Sequence, residues 1–321
     1  MSAATIKRKT ETAQNVRKKT LAQRMKPYAA LYLMLLPGLA LILIFCYGPM
    51  YGLQIAFKDY NIGLGIWNSP WVGLEHFQKF LSTDAAIRAL TNTIIISALK
   101  LVFSFPMPIL LAVVLNEIGN QTFKRVAQTI SYLPHFISWI IVASLLNNLL
   151  SPSTGVINAF IQQLGGDPIY FLADKNWFRP ILVISNIWKE IGWSSVVYLA
   201  ALSGIDPSLY EAAIVDGATR VQRITRITLP SIMPIAVTML ILSMGSIMSA
   251  GFDQVFNLYS PQVYDVGDIL DTYVYRRGLV DMSYSFSTAV GLFKSVVGLI
   301  LVVAVNVIAK RLSPDHEAGL W

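Results

Sequence analysis

Charge is scarce in this chain and cysteine is almost absent. Charged residues make up 13% of its 321 residues, about half of the roughly 25% that a soluble domain carries. Apolar residues make up 55% and the mean hydropathy is +0.56, a balance that requires a membrane. The single cysteine, Cys46, excludes an internal disulfide and reads as a small packing residue inside an apolar run. No glycine is followed by lysine, so the phosphate-cradling sequence G-x-x-x-x-G-K-[ST] is excluded. There is no G-x-S-x-G nucleophile elbow. The three histidines, His76, His135 and His316, fall in separate regions, and no Cys/His cluster has metal-ligand spacing. An enzyme has no chemistry to stand on here, and ATP-driven work would need another polypeptide to hydrolyse the nucleotide.

Long apolar runs take the place of charge. Six spans are predicted, over 28–51, 88–116, 128–150, 179–202, 230–252 and 286–309. The first is expected not to be a cleaved signal peptide, because its basic leader is too long and no small-residue site follows the apolar core. Bulky Phe45 before Cys46 argues against a lipid-anchored cysteine. Charge sets the orientation. With both termini in the cytoplasm, the cytoplasmic segments hold 15 of the 25 Lys and Arg, the outer segments hold seven, and Lys100, Lys189 and Lys294 fall inside spans. That bias predicts a multi-pass chain with both ends inside. Its parts are a basic cytoplasmic tail, 1–27, a six-span body, 28–309, and a cytoplasmic C-terminal tail, 310–321. The net charge of +7 lies mostly in the tail and the cytoplasmic loops. It reads as topogenic and lipid-facing, with no nucleic-acid partner.

This topology puts residues 203–230 in the cytoplasm, and they carry helix signals of their own. Asp206 can cap a helix and Pro207 suits its first turn. Ala212 and Ala213 are strong helix formers, and Gly217 permits a left-handed stop. The pattern predicts a helix, a glycine bend, a second short helix, and Pro230 entering the next span. Such a hairpin looks built to dock into something.

Glu211-Ala212-Ala213, then three residues, Gly217, nine residues, and Ile227-Thr228-Leu229-Pro230 resembles the EAA loop of ABC importer permeases without a gap. Asp216-Gly217-Ala218 and Pro234 narrow the likeness to the carbohydrate type. Gly48-Pro49-Met50, Ala56-Phe57-Lys58-Asp59-Tyr60 and the run Gly251 to Tyr259 are similar to the branch that takes up oligosaccharides derived from polysaccharides. The resemblance covers nearly the whole chain after the basic tail. It implies an all-α integral membrane fold of the ABC importer type I permease kind, with six transmembrane helices and a cytoplasmic coupling-helix loop, in a bacterial cytoplasmic (inner) membrane. It implies no cofactor in this chain, with ATP and Mg bound by a partner ATPase dimer. A second homologous permease forming a heterodimer and an extracellular or periplasmic solute-binding protein complete the implied assembly. Glu211, Ala212, Ala213, Asp216, Gly217, Leu229 and Pro230 are the implied coupling residues, with Leu209, Tyr210 and Ile214 in apolar contact. The alternatives are an ABC permease for a peptide or polyol, and a gradient-driven secondary transporter, which should show broken helices in an internal repeat.

Ionisable and amide side chains inside spans are costly and face a cavity or a partner. Lys189 and Glu190 are the leading ionisable pair; adjacent helical positions differ by 100°, so one is expected to pair with another helix while the other lines the path. Asn186, Lys189 and Trp193 fall at i, i+3 and i+7, sharing one helical face. With Asp253, Gln254 and Asn257 they are the candidate substrate path, since aromatic rings and amide or charged groups suit sugar rings and hydroxyls. An intramembrane structural network is the competing reading. Pro106 and Pro108 are expected to kink the second span, and a structural role is expected for Lys100. A contact between the Asp253 region and Lys294 is plausible. Asp253, Asp265, Asp268, Asp271 and Asp281 read as solvated loop charge.

Overall fold

The computed structural model describes residues 28–312; the basic tail 1–27 and residues 313–321 lie outside them. The chain divides into an N-terminal unit, Met1–Gln54, and a main unit, Ile55–Trp321. The first holds most of helix α1, Ala30–Phe57. Pro37 lies inside it and removes one main-chain donor, yet the helix runs on through a π turn, Leu43–Tyr47, into a tighter stretch, Gly48–Phe57.

The main unit is built from α2 (Asp84–Asn116), α3 (Gln121–Phe136), α4 (Trp139–Leu149), α5 (Lys175–Ser203), α6 (Pro207–Val215), α7 (Arg220–Met244), α8 (Phe252–Leu258), α9 (Leu270–Tyr275) and α10 (Tyr284–Leu312). No strand occurs among the described residues; Lys58 and Trp71 form one isolated bridge. By length and composition α1, α2, α7 and α10 are able to cross a membrane. Helix α5 has 29 residues, roughly 44 Å of rise, but Asn186, Lys189 and Glu190 make it less apolar.

Two expectations need correcting. The predicted third span, 128–150, is not one straight helix: α3 and α4 meet at 100°. Pro134 sits in a tight turn, Ile137 is extended, and the hydroxyl of Ser138 accepts from the N–H of Ile141 to start a new helix. The second short helix of the 203–230 hairpin is also not separate. Arg220–Arg223 runs through a π turn, Ile224–Thr228, directly into the fifth predicted span. The kink expected at Pro106 takes the form of a π turn over Lys100–Ser104, with the N–H of Phe105 donating to the carbonyl of Lys100. The wider turn accommodates the missing donor and the ring at Pro106.

Packing relies on small residues at close approaches, because lipid tails leave helices no hydrophobic drive to associate. Ala112, Val113, Tyr198, Leu202, Ile232 and Ala236 join α2, α5 and α7 toward the hairpin end. Ile96, Ala143, Phe178, Leu182, Val255 and Leu258 join α2, α4, α5 and α8 at the other end. At Gly192 a Cβ would lie 2.0 Å from the carbonyl oxygen of Ser131. Only glycine lets the end of α3 press this closely on α5, and that contact places the following residues of both helices side by side.

Candidate functional site

The hairpin is ordered by local bonds. The Asp206 carboxylate accepts from the N–H of Ser208 at 2.9 Å, which caps α6 and holds this carboxyl below its ordinary range. Pro207 follows at a position where its missing donor costs nothing. The N–H of Ala218 donates to the carbonyl of Ala213 at 2.8 Å, and that of Gly217 to Ile214 at 3.0 Å, closing the helix around Gly217 at φ +77°. Thr219 and Gln222 form a capping box that starts α7. The hydroxyls of Tyr210 and Thr228, 3.0 Å apart, tie α6 to the base of α7. Tyr210 is therefore turned inward, while Leu209, Ile214 and Val215 stay exposed, Val215 at 87%.

Glu211 stands on the same short helix. Among the described residues it has neither a hydrogen bond nor an ion pair, and it is exposed, as are Ala212 and Asp216; Ala213 is half-buried. Leu229 packs against the α2–α5–α7 cluster, and Pro230 lies in the first turn after the π turn. The hairpin thus presents an unpaired carboxylate within an apolar patch, on a mount continuous with α7.

Helices α2, α5 and α7 together enclose a cavity of about 550 Å³. Its wall includes Ser97, Lys100, Ser104, Asn186, Glu190, Trp193, Ser243 and Gly251. The Asn186 side chain has no hydrogen bond among the described residues, and the buried hydroxyl of Ser104 is likewise unpartnered. Lys100 donates to the carbonyl of Ala250 at 2.8 Å and to Oε1 of Gln254 at 2.5 Å.

Of the six candidate path residues, Asn186 and Trp193 line this cavity. Lys189 does not: it is 5% exposed, donates to the carbonyl of His135 at 2.6 Å and lies over the Trp139 ring. Sixty degrees of helical rotation separate it from Asn186, enough to aim it at the α3–α4 bend. Gln254, 1% exposed, donates to the carbonyl of Leu182 at 2.7 Å and the hydroxyl of Ser185 at 2.8 Å. Asp253 is exposed, and Asn257 donates to its carbonyl at 2.7 Å; neither lines the cavity. Of the ionisable pair Lys189 and Glu190, Glu190 is the one that lines the cavity; His135 carries no sequence reading of its own. An intramembrane carboxylate and a Pro-His step inside a predicted span were the available signals.

Of the acidic residues read as solvated loop charge, Asp265 and Asp281 are exposed, whereas Asp268 and Asp271 are not. Asp268, buried, takes both terminal nitrogens of Arg276 at 2.9 and 2.6 Å. Asp265 pairs with Lys175 and Asp281 with Arg277. Lys294 meets Asp271 at 2.5 Å rather than the Asp253 region.

These features define a membrane-embedded helical protein with a cavity on its long helices and an exposed hairpin continuous with α7. The family model "Binding-protein-dependent transport system inner membrane component" matches residues 104–314. The chain belongs to that family: it is the permease subunit of an ABC importer, a membrane-spanning transporter part and not an enzyme. It is 48% identical over 285 residues to protein LplB of Bacillus subtilis (strain 168), covering 89% of this chain and 90% of that protein. It is 47% identical over 291 residues to the polygalacturonan/rhamnogalacturonan transport system permease protein YteP of the same organism, covering 91% and 90%. A solved bacterial alginate ABC transporter, in complex with an alginate pentasaccharide-bound periplasmic protein, contains a chain that superposes with a TM-score of 0.86. The two are 46% identical, covering 92% of this chain and 99% of that one.

Proposed function

We propose that this permease carries oligosaccharides inward through a six-span body with both termini in the cytoplasm, driven by a separate ATPase dimer that binds ATP and Mg. The partners in this reading are a second homologous permease and a solute-binding protein that delivers the sugar outside. The relatives named for polygalacturonan/rhamnogalacturonan and alginate support a saccharide cargo. The observation that carries the coupling reading is Glu211, an exposed carboxylate without a partner among the described residues, on a helix tied to α7 through Tyr210 and Thr228.

In this mechanism α6 seats Leu209, Ile214 and Glu211 in a groove of the ATPase, with a basic group opposite Glu211. When the ATPase dimer closes, the hairpin moves as a rigid body. Helix α7, continuous with it, then shifts against α2 and α5 and changes the cavity they share. Such gating is a population shift, and it requires the ATPase to favour one state. Asn186 and Trp193 serve the path, and Lys189 and Gln254 hold its wall.

The test is uptake by the reconstituted complex. Glu211→Lys puts like charges together at the docking groove, and Gly217→Val forces a side chain onto a left-handed backbone. Both variants should insert normally and lose uptake. Normal uptake by well-expressed Glu211→Lys would remove the coupling assignment.

A further inference from the structure

Three side chains of α5 face the cavity on successive turns: Asn186, Glu190 and Trp193, about 5 Å apart along the axis. A residue outside the cavity holds two of them. The ring of His135, at the end of α3, stacks on the Trp193 indole with centroids 4.7 Å apart and planes 4° from parallel. Its Nδ1 lies 2.7 Å from Oε2 of Glu190. Phe136 adds an edge contact to the same indole at 5.7 Å. Trp193 lines the cavity and His135 does not, so the indole sits on the cavity side of the stack. Lys189, 3.6 Å from Oε1 of Glu190, donates to the carbonyl of His135 and so braces the histidine from the backbone. The contact depends on Gly192, whose missing side chain admits the end of α3.

We propose that His135 is the positioning residue of a pyranose subsite on this wall, fixing Trp193 as a flat platform and Glu190 as a hydroxyl acceptor. The observations fit sugar chemistry. A pyranose ring has an apolar face that rests on an indole, and its rim of hydroxyls needs acceptors and donors. Glu190 accepts, and the Asn186 amide, unpaired among the described residues, both donates and accepts. The subsite rests on the saccharide reading above.

The complete importer with its binding protein, in proteoliposomes, provides the test, using labelled tri- and tetrasaccharides of a neutral and a uronic series. Sugar moved and ATP hydrolysed are measured together. His135→Ala is expected to lower sugar moved per ATP by about tenfold, with hydrolysis stimulated by loaded binding protein unchanged. His135→Asn retains a donor for Glu190, and His135→Phe retains a ring behind Trp193; each should recover part of the loss. An unchanged ratio in His135→Ala overturns the proposal. So does an equal loss of assembly or of hydrolysis in all three variants, which would make His135 a packing residue. Uptake of neither series by the wild-type complex would instead overturn the saccharide reading, a result distinct from wild-type uptake with indifferent His135 variants.

Discussion

Gln254 and Asn186 separate two kinds of polar residue that look alike in a span. Gln254 spends its whole amide on the protein: it accepts from Lys100 and donates to Leu182 and Ser185, so α2, α5 and α8 meet in one relay. Gln254→Leu leaves the ammonium of Lys100 and the carbonyl of Leu182 short of a partner, at a cost of about 1–3 kcal/mol for each buried group left unmade. That variant is expected to lower the thermal stability of the solubilised complex. Asn186→Ala removes a side-chain amide that bonds nothing among the described residues, so stability should hold while uptake at limiting substrate falls. Thermal unfolding and uptake on the same two preparations check the split. If Asn186→Ala destabilises as much as Gln254→Leu, the cavity-facing role of Asn186 is wrong.

At the scale of elements, helix α6, the proposed coupling helix, is short and depends on its caps. A helix of nine residues is marginal by itself, so its ends decide whether it holds its shape. The N–H of Ser208 keeps the Asp206 carboxyl ionised to lower pH than usual. A depressed folded-state pKa means that the cap contributes fully above the ordinary carboxylate value and is lost as pH falls through the depressed one. The helix should therefore be equally protected from near neutrality down to about pH 5 and fray in stronger acid. Asp206→Asn retains an acceptor oxygen and should remove that dependence. Hydrogen exchange of the α6 amides across this pH range measures both, and identical acid fraying in Asp206→Asn would assign the effect elsewhere.

For the molecule as a whole, the first prediction is an inability. The sequence has no Gly-Lys step for a phosphate loop, so the purified chain should not hydrolyse ATP in detergent or liposomes. Robust hydrolysis free of contaminating ATPase would contradict the division of labour. What the sequence determined is what depends on local spacing and composition. Apolar runs set a membrane fold because main-chain groups in lipid must bond within helices. Asp206, Pro207 and Gly217 determined the first helix of the hairpin and its stop because caps and left-handed stops act within a few residues. The seven spaced positions from Glu211 to Pro230 made the family resemblance legible. Tertiary structure decided what depends on approach between helices far apart in the chain. Lys189 and Trp193 share a face by periodicity, yet one is buried beneath the α3–α4 bend and the other borders the cavity. The bend itself came from Pro134 and Ser138 acting within an apolar run that reads as one span. His135 reaches Trp193 and Glu190 only because Gly192, 57 positions on, leaves room for the Ser131–Tyr132 backbone just before it. Periodicity assigns a side chain its angle around its own helix; what stands opposite that angle is settled by packing.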